Sequence, residues 1–540
     1  MAYTWSGVWT AATAYPVNSL VSLQGAYYVA TTGTSAGQSP PGAPWSVVAD
    51  PFGSIPSPVY PAHTVAEFRA QAAPWFIAHR GSGAEFPEHT MLAYDASSQL
   101  LRTNGYIPAI EVSVVAGADK TLFCMHDPSF DKSTNSTGLA SAKVWAETVA
   151  LVRTEESDYL GQGWPGQQLV TLREVFDRFI PNTIIFVEAK TNEAVQALQR
   201  LLISDYPEAR NNVIIKMSYD NSLLTWAKAN GFTTWGYLSS DGTTTDGQMN
   251  TYDSVIDMWG VPHATTDARV SEIVARGKDC IVWEVHRRWS ADHWVSLGVK
   301  GLMCPRIAYV TRTTNTQYTM RTLPSDNFAS KTMMPGMLET DPTIPTSEAA
   351  RAARLKFDAA DGSVYFPNIT ANRACVVGAL NDVPAPASYN VLWSMMWPVI
   401  PPVSTQVSGV VICKPDDQQY TFTSATNPTG GYHIFIRANG EMLINRHDPG
   451  TATTTSVVNG TPPTEAGKQP PVAGTYMTFR IEVRAGSLTF VRTDVTPEYS
   501  ITSSASAATT YRGPYMQIAS GNVTQTSSTP HFRAISMPSV

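Results

Sequence analysis

The sequence predicts a multidomain chain: a small all-β aromatic module, a TIM-type α/β barrel and a C-terminal antiparallel β-sandwich of jelly-roll character. Three observations predict it. Aromatic residues crowd positions 1–50, β-branched runs alternate with amphipathic stretches over 70–322, and strict apolar/polar alternation around an Asn-Gly turn marks 348–540. Segments 51–69 and 323–347 read as linkers, the first Pro-rich in "PFGSIPSPVYPAH".

Bulk properties narrow the function. A chain of 540 residues is too long for a single core. With 43% hydrophobic and 15% charged residues it belongs among ordered, β-rich or mixed proteins. A net charge of −7 with scattered Lys and Arg offers no basic stripe for a phosphate backbone, so nucleic acid is excluded as a partner. Five cysteines, far apart and without a C-x-x-C pair, argue against a disulfide framework and against a zinc site. No run of 18 uncharged apolar residues predicts a transmembrane segment, and "MAYTWSGVWTAATAY" lacks the basic and apolar regions of a signal peptide.

In the first module, "SLVSLQGAYYVA" alternates with period two and predicts a hairpin. Trp9, Tyr15, Tyr27 and Trp45 carry two readings of equal weight: the core of a module too small to own another, or a platform for sugar rings. The whole pattern, from its first Trp through "TAYPVNSLVSLQGAYYVATTGTSAGQSPPGAPW", resembles the small chitin-binding-type carbohydrate modules that recur in bacteriophage tail proteins.

The middle segment supplies nine strand candidates for the eight places of a barrel: "WFIAH", "AIEVSVV", "LFCMHD", "IIFVEA", "VIIKMS", "TTWGYL", "SVIDMWGV", "CIVWEV" and "GLMC". One of them must be an accessory strand. "TLREVFDRF" and "EAVQALQRLLISD" space their apolar residues as crossover helices do. In the last segment, "GYHIFIRANGEMLINRHD" turns at Asn439-Gly440, and "TYMTFRIEVR" sets Met477, Phe479, Ile481 and Val483 on one face. Its texture resembles the concanavalin-like and laminin-G-like sandwiches, which implies glycan binding. His447-Asp448 has no partner nearby in sequence and reads as turn chemistry.

The chemistry lies in the middle. A parallel barrel builds its site from the carboxyl ends of its strands, and His79-Arg80, Glu111, His126-Asp127 and Glu188 each close an apolar run. Two imidazoles to move protons, carboxylates to hold a divalent cation, and Arg80 and Lys190 to meet charge on phosphoryl oxygens together suit phosphodiester cleavage.

"AHRGSGAEFPEHT", "IEVSV", "CMHDPSFDKSTNSTG" and "FVEAK" resemble, in order, the motifs of the glycerophosphodiester phosphodiesterase family; "QLVTLREVF", Ser218-Tyr219 and Trp283 sit where that family has similar elements. The resemblance implies His79 and His126 as the acid–base pair, with Arg80 beside the phosphate and Lys190 on it. It implies Glu111 and Glu188 as ligands of Mg²⁺ or Ca²⁺, and Glu88 as a brace for the first loop. Two departures stand out. Where the family has Glu-x-Asp, this chain reads Glu111-Val112-Ser113, so a carboxylate has become a hydroxyl, and neither Asp119 nor Asp127 is spaced to replace it. A lost ligand of this kind should cost at least ~10–100-fold in metal affinity or activity, the range seen for second-shell changes. Where the closing strand usually has Thr-Asp, Met303 and Cys304 stand, and Cys304 reads as a packed small residue.

Together these readings predict a metal-dependent phosphodiesterase within a bacteriophage tail or receptor-binding protein. Its target would be a cell-envelope glycerophosphodiester or phosphorylated glycan. The alternative is an impaired adhesin whose barrel only binds such groups. A virion-tail location implies a homotrimer and neighbouring tail proteins as partners; a cytoplasmic enzyme is the other setting.

Overall fold

The computed structural model describes residues 4–8, 14–17, 19–23, 26–38, 45–48, 60–146, 153–154, 167–240, 243–311, 356–358, 363–365, 373–379, 388–402, 406–418, 429–451, 454–459, 470–503, 510–513, 515–521 and 529–536. Trp9 and both interdomain linkers, apart from residues 60–69, lie outside the described residues. The chain divides into two compact units, Met1–Ala62 and His63–Val540.

The first unit is a four-stranded sheet of β1 (Thr4–Val8), β2 (Ser19–Leu23), β3 (Ala26–Ala30) and β4 (Trp45–Val48) in that order. The expected hairpin is β2–β3, with Leu20 opposite Val29 and Leu23 opposite Ala26. Tyr15 and Trp45 are both buried and meet edge to face at 5.5 Å between ring centroids, and the Trp45 indole donates to the Gln38 carbonyl at 2.8 Å. For these two rings the core reading describes what the structure shows: they pack inside the sheet. Tyr27 lies on β3, where its backbone pairs with Ser22 and Val48.

The second unit opens with a helix, Val65–Ala70, not the linker expected up to residue 69. Thr64 and Glu67 cap it reciprocally. Its Phe68 is packed 5.2 Å from Trp75 and 6.0 Å from Phe186, closing the lower end of the barrel.

Eight parallel strands form that barrel: β5 (Trp75–Ala78), β6 (Ala109–Ala116), β10 (Ile184–Ala189), β11 (Val213–Ser218), β12 (Thr233–Tyr237), β13 (Met258–Pro262), β14 (Asp279–Trp283) and β15 (Gly301–Cys304). Each pairs with its neighbour in a closed ring, β6 meeting β10 and β15 meeting β5. Buried on both faces, such strands read as unbroken apolar runs. The accessory ninth candidate is β7 (Leu122–Cys124), which pairs antiparallel with β6 and not within the ring. A short ribbon of β8 (Arg153–Thr154) and β9 (Gln167–Gln168) follows.

Side-chain parity positions the site. Successive residues of a strand face opposite sides, so Ile184, Phe186 and Glu188 share one direction, as do Ile214 and Lys216, and Ala109, Glu111 and Ser113. The apolar members of these sets form a single interior cluster with Trp75, Trp235 and Ile281. The barrel is therefore apolar at its base and charged where the same columns reach the strands' carboxyl ends. Crossover helices open on Thr90, Thr171, Thr191, Asn221, Thr245 and Thr266, each accepting a backbone N–H from the first turn.

Two antiparallel sheets complete the unit. One carries seven strands in the order β16 (Lys356–Asp358), β17 (Ser363–Tyr365), β28 (His531–Ser536), β19 (Tyr389–Met396), β24 (Met477–Arg484), β25 (Ser487–Arg492), β26 (Tyr499–Thr502). The other carries six, ordered β18 (Arg373–Ala379), β27 (Tyr515–Gly521), β20 (Val407–Lys414), β21 (Gly431–Arg437), β22 (Met442–His447), β23 (Thr454–Asn459). Both sheets contribute to one core: Trp393, Phe479 and Phe490 from the first, Ile412, Ile434 and Ile518 from the second. The Asn439-Gly440 turn joins β21 to β22 with Gly440 at φ +88°, a conformation glycine adopts freely. Met477, Phe479, Ile481 and Val483 are buried, as their alternation requires. Asp448 accepts from the Tyr511 hydroxyl at 2.8 Å, and His447 is buried 5.7 Å from His433, so this His-Asp pair is part of the sandwich's packing.

Asp417, fully buried, ties the sandwich to the barrel. Its carboxylate accepts the backbone N–H groups of Arg288 (2.8 Å) and Trp289 (2.9 Å) at the start of the helix Arg288–Ser296, and the Tyr309 hydroxyl at 3.0 Å. The Arg287 guanidinium donates to its carbonyl. Removing one member of such a buried set leaves the others unpaired, so Asp417→Ala is expected to cost about 3 kcal/mol, read as a lowered urea midpoint by tryptophan fluorescence. A change below about 0.5 kcal/mol, the scale of an inert surface substitution, would contradict this account of the junction. Among the described residues no helix is long and apolar enough to cross a membrane.

Candidate active site

β5 ends at Ala78, and the chain turns at once through His79-Arg80-Gly81. Arg80 (φ +54°) and Ser82 (φ +71°) occupy the left-handed region at a cost of roughly 1–2 kcal/mol each. A Cβ on Gly81 would come within 2.9 Å of the Ala93 Cβ, which is why the third residue is glycine. The turn is held by carboxylates: the Arg80 N–H donates to Glu111 Oε2 (2.9 Å) and its Nη1 to Glu88 Oε2 (2.9 Å). Glu85 accepts from Ser82 Oγ and from the backbone of Ala308 and Tyr309. This arrangement places His79 and Arg80 at the mouth of the barrel.

His126 arrives differently from the expectation that it closes a barrel strand. It follows β7, whose antiparallel course returns the chain over β6, with the Met125 N–H on the Ser113 carbonyl at 3.0 Å. His126 Nδ1 lies 2.7 Å from Asp127 Oδ1, and Lys132 lies 3.3 Å from the other Asp127 oxygen. Asp127 is thus the partner of an imidazole and not a substitute for the missing carboxylate, while Asp119 accepts the Thr121 N–H in an exposed turn.

His79, Arg80, His126, Glu188, Lys190 and Lys216 line one cavity of about 210 Å³. Tyr237, Trp283, Glu284 and Met303 complete its wall. Side-chain exposure falls from 29% at His126 through 16% at Lys190 and 4% at Glu188 to nothing at Glu111, so the cavity opens on the His126 side. The structure therefore brings together the predicted imidazoles, cations and Glu188, with Glu111 directly beneath. Ser113, fully buried, donates to Glu111 Oε1 at 3.0 Å. Cys304 is packed, and burial pushes its thiol well above the ordinary range.

Burial and neighbouring charge set the protonation states. Burial lowers the His79 pKa to about 4, against the opposing pull of Glu284, whose Oε1 lies 3.6 Å from His79 Nδ1. Burial and then Arg80 also hold His126 below the usual imidazole range. Burial would raise the carboxyls of Glu111 and Glu188, but Lys216 beside both reverses it and holds them well below the usual carboxylate range.

Sequence reasoning missed Lys216, Tyr237 and Glu284. Lys216 Nζ stands 2.8 Å from Glu111 Oε1 and 2.6 Å from Glu188 Oε2, and the Tyr237 hydroxyl donates to Glu188 Oε1 at 2.9 Å. Inward parity within "VIIKMS" was the available signal for Lys216; Glu284 follows an apolar run as the predicted residues do. A divalent cation does not fit this donor set. The gap between the two glutamates is filled by an ammonium ion, and among the described residues no group of three or more His, Cys, Asp or Glu is suited to hold a metal. The assignment of Glu111 and Glu188 as Mg²⁺ or Ca²⁺ ligands thus meets a site already neutralised from within the chain.

A closed eight-stranded parallel barrel with these groups at its mouth is matched over residues 79–308 by the model of the Glycerophosphoryl diester phosphodiesterase family. The family's enzymes are generally dependent on a divalent metal. The chain is similar to the glycerophosphodiester phosphodiesterase of Bacillus subtilis, 26% identical over 136 residues covering 24% of this chain and 44% of that one. It is also similar to Bos taurus glycerophosphodiester phosphodiesterase 1, 28% identical over 142 residues covering 26% and 41%. In both cases it spans less than half the relative's length. Among solved structures, an Oleispira antarctica phosphodiesterase in complex with sn-glycerol-3-phosphate aligns with 20% identity and a TM-score of 0.38, over 43% of this chain and 93% of that one.

Proposed function

We propose that the barrel hydrolyses a glycerophosphodiester by acid–base catalysis between His79 and His126. The observation that carries this is their convergence, with Arg80 and Lys190, on one cavity. In neutral His126 a proton on Nδ1 is donated to Asp127, which leaves the Nε2 lone pair to act. One ring removes the proton of the attacking water as its oxygen bonds to phosphorus. The other ring, which must first carry its second proton as imidazolium, gives that proton to the departing alcohol oxygen as its P–O bond breaks. Arg80 and Lys190 meet the charge that grows on the phosphoryl oxygens, worth about 3–4 kcal/mol for a well-placed donor. Glu284, 3.6 Å from His79 Nδ1 and not hydrogen-bonded to it, stabilises the protonated form of that ring by its charge.

A family barrel between two all-β regions supports a binding-plus-cleavage role at a cell surface. The substrate class is then an envelope glycerophosphodiester or a phosphorylated glycan, and the setting a virion tail protein. The second reading, an adhesin whose barrel only binds, is favoured by one feature: Ser113 in place of a carboxylate. Turnover separates the two. The purified full chain is expected to release choline from glycerophosphocholine or p-nitrophenol from a chromogenic phosphodiester; binding of glycerol 3-phosphate without turnover of either would support the adhesin. Immunogold labelling of virions tests the setting, and label confined to the host cytoplasm would refute it.

A further inference from the structure

The cation between Glu111 and Glu188 belongs to the chain. Glu188 on β10 pairs in register with Ser113 on β6, and on its other side Val187 pairs with Ile215, one residue before Lys216. On one flank of Glu188 the chain therefore carries a hydroxyl where the family motif has a carboxylate, and on the other flank an ammonium. The two features answer each other: the site gives up one negative charge and contains one positive charge.

Three of the four oxygens of the two carboxylates accept hydrogen bonds from within, and the fourth, Glu188 Oε2, is held by Lys216 as an ion pair without hydrogen-bond geometry. Glu111 Oε1 meets Lys216 Nζ (2.8 Å) and Ser113 Oγ (3.0 Å), and its Oε2 accepts the Arg80 N–H (2.9 Å). Glu188 Oε2 meets Lys216 Nζ (2.6 Å), and its Oε1 meets Lys190 Nζ (2.8 Å) and the Tyr237 hydroxyl (2.9 Å). Two carboxylates against two ammonium ions already sum to zero. Mg²⁺ demands near-octahedral oxygens at about 2.0–2.1 Å and Ca²⁺ six to eight at about 2.3–2.6 Å. Neither can enter without expelling Lys216 and leaving a buried site with excess positive charge. The aromatic faces of Trp235 (5.6 Å) and Tyr237 (5.8 Å) further hold the ammonium where it is.

We propose that Lys216 is the resident cation of this site, its ammonium standing between Glu111 and Glu188 where a divalent ion would otherwise sit, so that phosphodiester cleavage in this barrel needs no divalent metal. An ammonium has three N–H donors, and with one on Glu111 Oε1 another serves an anionic phosphoryl oxygen in the cavity that Lys216 lines. The catalytic half of this inference rests on the phosphodiesterase reading; the occupancy half does not.

The two are tested separately on the full chain. Mn²⁺ uptake, followed by electron paramagnetic resonance, is expected to show no ion whose binding depends on Glu188, whereas Ser113→Asp combined with Lys216→Met is expected to bind one. Hydrolysis of bis(p-nitrophenyl) phosphate is expected to survive EDTA within about twofold, and Lys216→Gln to lower kcat by about 100-fold or more, the scale of losing one charge-stabilising donor. Wild-type uptake of one Mn²⁺ abolished by Glu188→Gln, or activity abolished by EDTA and restored by Mg²⁺ or Ca²⁺, would overturn the proposal. If the Lys216 variants fail to fold, the wild-type Mn²⁺ and EDTA results decide it alone. No turnover in EDTA or with any metal, together with no Glu188-dependent Mn²⁺, would sink the phosphodiesterase reading while leaving Lys216 as the site's cation.

Discussion

Replacing His126 by alanine is expected to lower kcat for a glycerophosphodiester by about 10²–10⁴-fold, with KM little changed. His126 is the more exposed of the two rings, so its removal spares the core and the loss should not reflect misfolding. His79 is buried, and His79→Gln is the gentler probe there because it fills the space and retains a hydrogen-bonding end. The double variant is expected to be little worse than either single one, because groups that act as a unit lose most of their effect when the first is removed. Glu284→Gln should act through His79 alone, shifting the pH profile of kcat/KM while leaving substrate binding in place. Variants of both histidines that hold kcat within about threefold of wild type, well short of the usual acid–base contribution, would end the account of acid–base cleavage.

What the sequence disclosed about this site follows from where each residue sits on its strand. His79, Glu111 and Glu188 interrupt or end apolar runs at the barrel's charged end, and an abrupt ionisable group after such a run is visible in one dimension. Lys216 is embedded two residues before the end of β11, and only the inward parity it shares with Ile214 marks it. Glu284 obeys the strand-end rule directly after Trp283, so it was legible on the same ground as the others. Which of the nine candidates is the accessory strand was not legible, because a three-residue apolar run is the same whether its pairing is parallel or antiparallel; the pairing of β7 with β6 decides it. The first module shows the reverse limit. Closely spaced aromatics read alike as a sugar platform and as a core, and only the packing of Tyr15 on Trp45 shows that these two are buried.

Acidification is expected to unfold the second unit well before its surface carboxylates are fully protonated. His286 and His447 are lowered to about 4 by burial, and His89 to about 3, in addition to His79. Unfolded, each returns to the ordinary value of about 6.5. A folded pKa below the unfolded one means that between about pH 4 and 6.5 the unfolded chain binds more protons, so stability rises with pH across that window. The contribution is complete above about pH 6.5 and is lost as pH falls towards 4. At pH 5 each such histidine has given up roughly 2 kcal/mol. Glu111 and Glu188, held low by Lys216, add a loss of the same sign further down, whereas Glu85, raised by burial, opposes it. The urea midpoint should therefore drop steeply from pH 7 to pH 5. His89 offers the clean control: it is buried outside the cavity wall, with Nδ1 2.8 Å from the Tyr94 hydroxyl and φ +57°. Asparagine tolerates that backbone and can keep a hydrogen bond. His89→Asn should flatten the pH slope by about one histidine's share without lowering activity at pH 7; an unchanged slope, or a wild-type midpoint level from pH 7 to 5, would show that these rings are protonated alike in both states.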